Sequence, residues 1–509
     1  MVPAPSKPRR IRLYSGLVIS LIALITGWFL VARHRAQAAL LKYEQQLRAK
    51  GEKLSFPELM ASVSLPESRG VELFHLCGAL QQGTAVTLDA PPIGKMIAPG
   101  KVLVIAREKE WFSVNQRKIF AWGQVETDLK LNADSLQKLR EILKYRALQF
   151  PLNYRGPKTL LPHLAKFKQA AEWLSASAAC NMHSGHLDAA VDDVESVALL
   201  CRPLDTEPFL ISQLVRVAVS SIAFNLCHEM IECEGINDRH LVRLHHICDE
   251  LQFVDPMILG LKGDRTMYRD SIRDARSTGV DLAALLANYA PGDSQADSFA
   301  FCGTPYHDDI YGAIRSAIIL PCWRSLFSYR DERHALEEVQ TLLDNFHSAK
   351  FHRSMLTMDR FENALENKSG SDGAFRSWDY WLTGMFMRAL GKAHVRAFRA
   401  ETQRGMTIAA IALKRYHLAH GKYPSRLDEL IPDFVREVPV DWRDGQNLRY
   451  RQERDTFVLW SVGDNGKDDG GTPDQTDPYS FFSGLDLVWP QPATEDELNA
   501  YRAKVKPKP

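Results

Sequence analysis

A stretch near the N-terminus constrains the fold of this chain more than any other feature. Residues 13–32 carry no charged side chain and are rich in Leu, Ile and Val. A helix of this length rises about 30 Å at 1.5 Å per residue, which matches the hydrocarbon core of a bilayer. The stretch therefore predicts a transmembrane helix, with the lipid bilayer as its partner.

The charges around this stretch predict its orientation. Residues 1–12 form a basic N-terminus that we expect to be cytoplasmic, since basic residues concentrate on that side of a membrane. The rest of the chain would then be extracytoplasmic, in the periplasm beside the cell inner membrane. The alternative is a cleaved signal peptide, because Ala36-Gln37-Ala38 has the small-x-small form of a cleavage site. The flanking basic residues are Lys7, Arg9, Arg10 and Arg12 before the stretch, and Arg33 and Arg35 after it.

Charge and cysteine content narrow the classes of partner and fold. The 509 residues include 63 Lys plus Arg against 62 Asp plus Glu, so no large basic field is present to bind nucleic acid. The eight cysteines lack the close, regular spacing of a disulfide-rich scaffold. Cys302 and Cys322 flank a loop-rich segment, and they are the pair that we would expect to bond in an oxidising compartment.

Hydrophobic periodicity predicts a mainly α fold. The membrane helix is expected to continue outward as a stalk that stops at Gly51. Residues 171–204 resemble one tetratricopeptide-type helical hairpin, but no second copy follows at a period near 34 residues, which favours a helical bundle. The predicted layout is a basic N-terminus (1–12), a transmembrane helix (13–32), a stalk helix and loop-rich segment (33–130), an α-helical domain (131–403), a C-terminal α+β module (404–490) and a tail (491–509).

The C-terminal module has the clearest local pattern. Apolar residues at helical spacing run from residue 407 to residue 420. Gly421 suits the left-handed conformation that ends a helix, and Pro424 blocks its continuation. Residues 448–451 and 457–461 are rich in β-forming side chains and predict an antiparallel hairpin. A glycine-rich acidic segment leaves the end of that hairpin.

This acidic loop (residues 463–471) carries the candidate metal ligands Asp464, Asp468 and Asp469 among four glycines. Hard carboxylate oxygens in a flexible loop suit Ca²⁺. The loop is not an EF-hand, since Asp469 takes the sixth position from Asp464 and no Glu stands at the twelfth. The residues alone leave a structural calcium site and a solvated acidic turn as alternatives.

Residues 404–490 resemble the globular C-terminal domain of the type II secretion major pseudopilin, which ends in a calcium-binding loop. The likeness rests on Gly421-Lys422-Tyr423-Pro424 and on residues 460–471. It implies calcium bound by Asp464, Asp468 and Asp469, with carbonyl groups of Leu459 and of Ser461 or Val462 as further ligands. The prepilin cleavage pattern is missing, since Gly16 precedes Leu17 and position 21 is leucine.

The whole chain also resembles a group of single-pass membrane proteins that share the Tyr-Pro and Asp-Asp-Gly-Gly signatures. These proteins end in a segment of the form Asp-x-Val-Trp, here residues 486–489. That group implies no reaction.

Other clusters offer weaker chemistry. Seven Cys and His residues lie within residues 227–248, but their spacing fits no standard zinc site. His307-Asp308-Asp309 could act as a general base or bind a metal. An aromatic stretch at residues 378–386 predicts a docking face or, more usually, a core helix. The chain carries no nucleophile elbow, phosphate loop or dinucleotide fingerprint, so no catalytic residue is assigned and a non-enzymatic role is favoured.

These observations predict a membrane-anchored extracytoplasmic structural or binding protein. One alternative is a component of a type II secretion or pilus-like envelope machine, which would have an envelope protein as partner. A second alternative is an envelope enzyme whose site forms only in three dimensions.

Overall fold

The computed structural model describes residues 7–60, 68–86, 95–113, 118–156, 158–278, 320–355, 383, 386, 387, 390, 393–463, 465–473 and 485–505. Several predictions fall outside these residues: those on Asp464, on Cys302, on residues 307–309 and on most of the aromatic stretch at 378–386.

Most of the described residues are helical, which confirms the mainly α prediction. One turn at Leu320–Cys322 and a π-helical turn at Trp323–Phe327 lead directly into the helix at Ser328–His352. Short 3₁₀ turns lie at Ile105–Arg107, Arg202–Leu204 and Leu427–Leu430. The helices are α1 (Lys7–Ala49), α2 (Phe56–Met60), α3 (Gly70–Gly78), α4 (Trp122–Leu131), α5 (Ala133–Leu143), α6 (Pro162–His183), α7 (Leu187–Leu199), α8 (Leu210–Ile231), α9 (Asp238–Glu250), α10 (Val254–Thr278), α11 (Ser328–His352), α12 (Ala393–His420) and α13 (Glu495–Val505).

The strands are short and form three small sheets. The predicted C-terminal hairpin is present, with β5 antiparallel to β6 and β6 antiparallel to β7. A second sheet has the order β1-β2-β8, in which β8 runs parallel to β2, and the third pairs β3 with β4. The strands are β1 (Met96–Ala98), β2 (Lys101–Val102), β3 (Trp111–Ser113), β4 (Lys118–Phe120), β5 (Arg449–Glu453), β6 (Thr456–Ser461), β7 (Leu487–Val488) and β8 (Gln491–Pro492).

Helix α1 joins the apolar stretch to the rest of the molecule without a break. Its first part is exposed and apolar enough to cross a membrane, a test that a signal sequence also passes. Its last turns end before Gly51 as expected, but they are not a free stalk. Leu40 and Leu47 are buried with Leu54 and Leu336. The end of α1 is therefore part of the core, which the sequence did not predict.

Helix α8 is also long and apolar enough to cross a membrane. However, more than half of it is buried inside the protein, where it packs against α6, α7 and α12. It is a core helix.

The main hydrophobic core continues from the helical region into the C-terminal module. Helix α12 passes through the predicted boundary at 403/404 and packs against α8 and α9. Residues 408–413 at its centre are all buried. One cluster of buried residues contains Phe224 of α8, Ile411 of α12 and Leu459 of β6. The predicted division into separate domains stays a prediction.

The apolar segment at residues 101–106 is only partly extended. Lys101–Val102 is a strand, and the chain then enters a 3₁₀ turn at Ile105–Arg107. The strand is short because Ile105 and Ala106 donate their backbone N–H groups to the buried carboxylate of Glu229 on α8. The predicted helical hairpin is present as α6 and α7, which pack against each other.

Candidate functional site

The acidic loop follows β6 and is held by two buried aspartates that the sequence analysis did not single out as anchors. The first is Asp441, which is fully buried. It accepts hydrogen bonds from the backbone N–H of Val462 and from the Ser461 hydroxyl, both at 2.9 Å, and it pairs with Arg449 at 3.0 Å. Burial raises the pKa of this carboxyl group. Asp441 therefore fixes the point at which the chain leaves β6.

The second anchor is Asp486, directly before β7. Its carboxylate accepts backbone N–H groups from Asp469 at 3.2 Å, Gly471 at 2.7 Å and Thr472 at 3.3 Å. Burial raises the pKa of Asp486 as well. Gly471 has a φ of +77°, a conformation that favours glycine, and it brings two of these N–H groups toward one carboxylate. The C-terminal half of the loop is thereby folded around a single side chain.

Two of the three predicted calcium ligands lie on the exposed side of this loop. Asp468 accepts hydrogen bonds from the Trp460 indole at 2.9 Å and from the Gly470 N–H at 3.0 Å. The indole bond is the main reason that the pKa of Asp468 is lowered. Asp469 accepts a hydrogen bond from the side chain of Asn465 at 2.7 Å. The two carboxylates stay accessible to solvent around these contacts.

The donor set fits calcium in kind, since carboxylates supply hard oxygens. Within the described residues, no group of three or more His, Cys, Asp or Glu side chains is arranged to hold a metal ion. Of the carbonyl groups implied by the pseudopilin resemblance, that of Leu459 already accepts the N–H of Trp489 at 2.8 Å. Calcium binding by Asp464, Asp468 and Asp469 therefore stays a prediction from the sequence.

The Cys and His residues of α8 and α9 serve packing and local hydrogen bonds. The sulfur atoms of Cys227 and Cys248 lie 3.9 Å apart in the core. His228 is buried, which lowers its pKa, and its Nε2 donates a hydrogen bond to the carbonyl of Pro490 at 2.9 Å. His240 lies 3.3 Å from Asp188. Cys227, Cys248, His228 and His240 therefore each have a contact within the protein.

A cavity of about 700 Å³ lies beside α7 and α9. Three of its arginines already contact carboxylates: Arg202 pairs with Glu250 at 2.6 Å, Arg216 pairs with Asp205, and Arg243 pairs with Glu195 at 2.9 Å. A second cavity of about 610 Å³ lies on the other side of α9 and mixes acidic and basic side chains in the same way. Neither cavity presents a field of one sign that would select a charged ligand.

The strongest electrostatic feature is a cluster of ion pairs between α1, α10 and α11. We call it the ion-pair cluster. The sequence analysis missed it, although the spacing of its arginines along one face of α10 was a readable signal. Of its acidic members, Glu44 and Glu332 are buried and Glu52 is partly buried. The arginines are Arg265, Arg269, Arg273 and Arg276.

Two glutamates of the ion-pair cluster, Glu44 and Glu332, each contact two arginines. Glu44 of α1 lies 2.8 Å from Arg269 and 2.5 Å from Arg273. Glu332 of α11 lies 2.7 Å from Arg273 and 2.5 Å from Arg276. Arg273 therefore bridges α1 and α11 through α10. Buried charges of this kind require their partners, so the three helices are held in one register.

No protein-family model matches the chain, and neither a curated protein nor a solved structure matches it.

Proposed function

We propose that this chain is a membrane-anchored extracytoplasmic structural or binding protein whose anchor helix is built into its folded body. The single observation that carries the proposal is that α1 runs from the apolar stretch into the ion-pair cluster as one helix. The anchor would therefore fix the position of the body relative to the membrane. A flexible tether could not do this.

The contacts of α1 also favour an anchor over a cleaved signal peptide. Arg33 donates a hydrogen bond to the carbonyl of Ser325 at 3.1 Å, and Ala36 is buried. Cleavage after Ala38 would remove both contacts and leave the corresponding surface of the body uncovered. Residues on the N-terminal side of the candidate cleavage site thus have partners in the folded body.

The proposal is tested by the mass and the membrane association of the mature chain. We expect the full-length mass, retention in the membrane pellet after carbonate extraction, and digestion of the body by protease added to spheroplasts. Ala38→Gln, at an exposed position, is the matched variant, since it removes the small residue before the candidate cleavage site.

An anchored chain begins at the same N-terminal residue with and without the Ala38→Gln substitution, so the two masses differ only by the substituted side chain. A wild-type chain that begins at residue 39 and lengthens in the variant would overturn the proposal. A full-length chain whose body resists protease in spheroplasts would overturn the extracytoplasmic location.

A further inference from the structure

We propose that the membrane-proximal end of the body binds the headgroup phosphates of anionic phospholipids. The binding surface, which we call the basic face, consists of Arg33, Arg35, Arg324 and Arg330. This inference rests on the proposed function, because it requires α1 to cross the bilayer.

The height of the basic face follows from the length of α1. A bilayer is about 40–45 Å thick with its headgroups and about 30 Å thick without them, which leaves roughly 5–7 Å of headgroup layer on each side. Arg33 and Arg35 follow the apolar stretch by one and three residues, so they rise about 1.5–4.5 Å beyond its end. Trp28, which is exposed, lies about one turn before them, where tryptophan is enriched at membrane interfaces. Both arginines therefore lie at the level of the headgroups.

The body reaches the same level through its contacts with Arg33. Besides the hydrogen bond to Ser325, the guanidinium of Arg33 lies 5.4 Å from the centre of the Tyr329 ring. The guanidinium of Arg276, the last arginine of the ion-pair cluster, lies 3.9 Å from the centre of the same ring. The start of α11 is thus held beside the first turn of α1 outside the membrane.

The relative directions of the helices explain why this end of the body is the membrane-proximal one. Arg265 contacts Gln340, whereas Arg276 contacts Ser328, so α10 and α11 are antiparallel. Helix α11 leads away from the membrane beside α1, and α10 returns toward it. Arg324 lies in the π-helical turn before α11, and Arg330 lies in the first turn of α11. The guanidinium of Arg324 donates one bond, at 3.1 Å, to the carbonyl of Arg276, which leaves further N–H groups for a ligand.

Among the described residues, the charges at this end are mostly positive. Residues 33–43 and 320–330 contain no Asp or Glu. The nearest acidic residues of the ion-pair cluster, Glu44 and Glu332, are buried and already paired with arginines. Asp274 on the last turns of α10 is half-buried. Arginine side chains near a membrane surface attract anionic lipids, and their planar guanidinium groups bind phosphate in two-point contacts.

The test is native mass spectrometry of the full chain released from nanodiscs that contain equal amounts of phosphatidylglycerol and phosphatidylcholine. We expect the wild-type chain to retain phosphatidylglycerol preferentially. Arg33→Gln/Arg35→Gln/Arg324→Gln should reduce that preference at least tenfold. The control variant removes the same charge from exposed positions of the C-terminal module: Arg426→Gln, Arg436→Gln and Arg454→Gln.

The control variant should retain phosphatidylglycerol as the wild-type chain does. Equal loss in both variants, or no loss in the first, would overturn the inference. Because Arg33 also contacts the body, its substitution could disturb the fold. A second variant, Arg35→Gln/Arg330→Gln, changes two exposed positions instead and should lower the preference for phosphatidylglycerol at least threefold.

The same spectra give the mass of the chain. A chain without residues 1–38 would contradict the proposed function, whereas a full-length chain without lipid preference would contradict only this inference.

Discussion

Gly260 and Gly263 lie three residues apart on α10, where that helix passes closest to the start of α8. A Cβ atom on Gly260 would lie 3.1 Å from Leu210 Cα, and one on Gly263 would collide with the carbonyl oxygen of Pro208. Neither glycine has a positive φ, so the requirement is for space and not for an unusual backbone conformation. The sequence alone does not distinguish this requirement from an ordinary helical glycine, because the obstructing carbonyl belongs to another element.

We therefore predict that Gly263→Ala destabilises the protein by about 1–3 kcal/mol, the usual cost of overpacking a close contact. Denaturant unfolding of the full chain in detergent measures this change. Gly123→Ala in α4 is the matched control, since its Cβ would meet nothing within 4 Å and alanine is the better helix former. A Gly263→Ala protein as stable as the Gly123→Ala protein would show that α8 and α10 can separate at no cost.

Glu58 in the first turn of α2 links that helix to the end of α1. Its carboxylate binds Arg48 at 2.7 Å and the backbone N–H of Leu54 at 2.9 Å. The Arg48 contact is the main reason that its pKa is lowered from 4.5 to about 2. Because the folded-state pKa lies below the unfolded one, the stabilisation is complete above pH 4.5 and is lost as the pH falls toward 2.

The expected effect of Glu58→Gln is a loss of about 0.5 kcal/mol at pH 6, since the ion pair is well exposed to solvent. At pH 2.5 the variant and the wild-type chain should be closer in stability. Urea unfolding at the two pH values measures the difference. If the difference in unfolding free energy between the two proteins stays constant or increases at low pH, Glu58 is not the titrating group.

At the scale of elements, the ion-pair cluster decides how α1, α10 and α11 pack. Glu332, whose side chain is only 1% exposed, contacts both Arg273 and Arg276. Removing one partner from a buried ion pair leaves charge without compensation and costs about 3–5 kcal/mol. We predict a loss of this size for Glu332→Gln. Glu337→Gln one turn later on α11, where the pair with Arg333 is exposed, should cost well under about 1 kcal/mol.

Unfolding free energies of these two variants provide the comparison. If both variants lose the same small amount of unfolding free energy, the ion-pair cluster does not hold α1 against α10 and α11. Protease cleavage within residues 33–49 should also increase in the Glu332→Gln protein alone, because α1 would be released from α11.

The acidic loop is the second element with a test of its own. Calcium titration of the full chain by calorimetry is expected to give a saturable heat that is lost in Asp464→Ala/Asp468→Ala. A control that removes two exposed carboxylates elsewhere, Asp433→Ala/Asp496→Ala, should leave the heat unchanged. Identical traces for the wild-type chain and the loop variant would show that the loop is a turn held only by Asp441 and Asp486.

The elements themselves were largely predictable. Gly421, with a φ of +71°, ends α12 at the expected position, and the hairpin β5–β6 lies where its β-forming residues predicted. These features depend on neighbours in the sequence, so local patterns reveal them. The anchoring roles of Asp441 and Asp486 were not predictable, because the backbone groups of the loop region that they bind lie 14 to 21 residues away along the chain.

At the scale of the whole molecule, the C-terminal tail packs against an early segment of the chain. Strand β8 pairs with β2, and Tyr501 of α13 is buried against Ile97 and Leu103. Arg502 of α13 also pairs with Glu108. The described part of the tail, residues 491–505, therefore covers a segment that lies almost 400 residues earlier, a role that the sequence analysis did not assign to it.

Deletion of residues 495–509 should expose this early segment. We predict faster trypsin cleavage at Lys101 or Arg107 in the truncated chain than in the full chain, because Ile97 and Leu103 lose their cover. Deletion of residues 506–509 alone is the control and should leave the cleavage rate unchanged. Equal protection of both truncated chains would show that the segment is stable without α13.

The sequence by itself determined the apolar stretch, the helical character of most of the described chain and the C-terminal hairpin. Each of these follows from composition and periodicity within a few tens of residues. Only the tertiary structure decided that α1 is a core element, that Arg273 joins it to α11, and that α13 covers residues 97–103. Such contacts join residues hundreds of positions apart, and their energy comes from burying charge and apolar surface together, which no local pattern records.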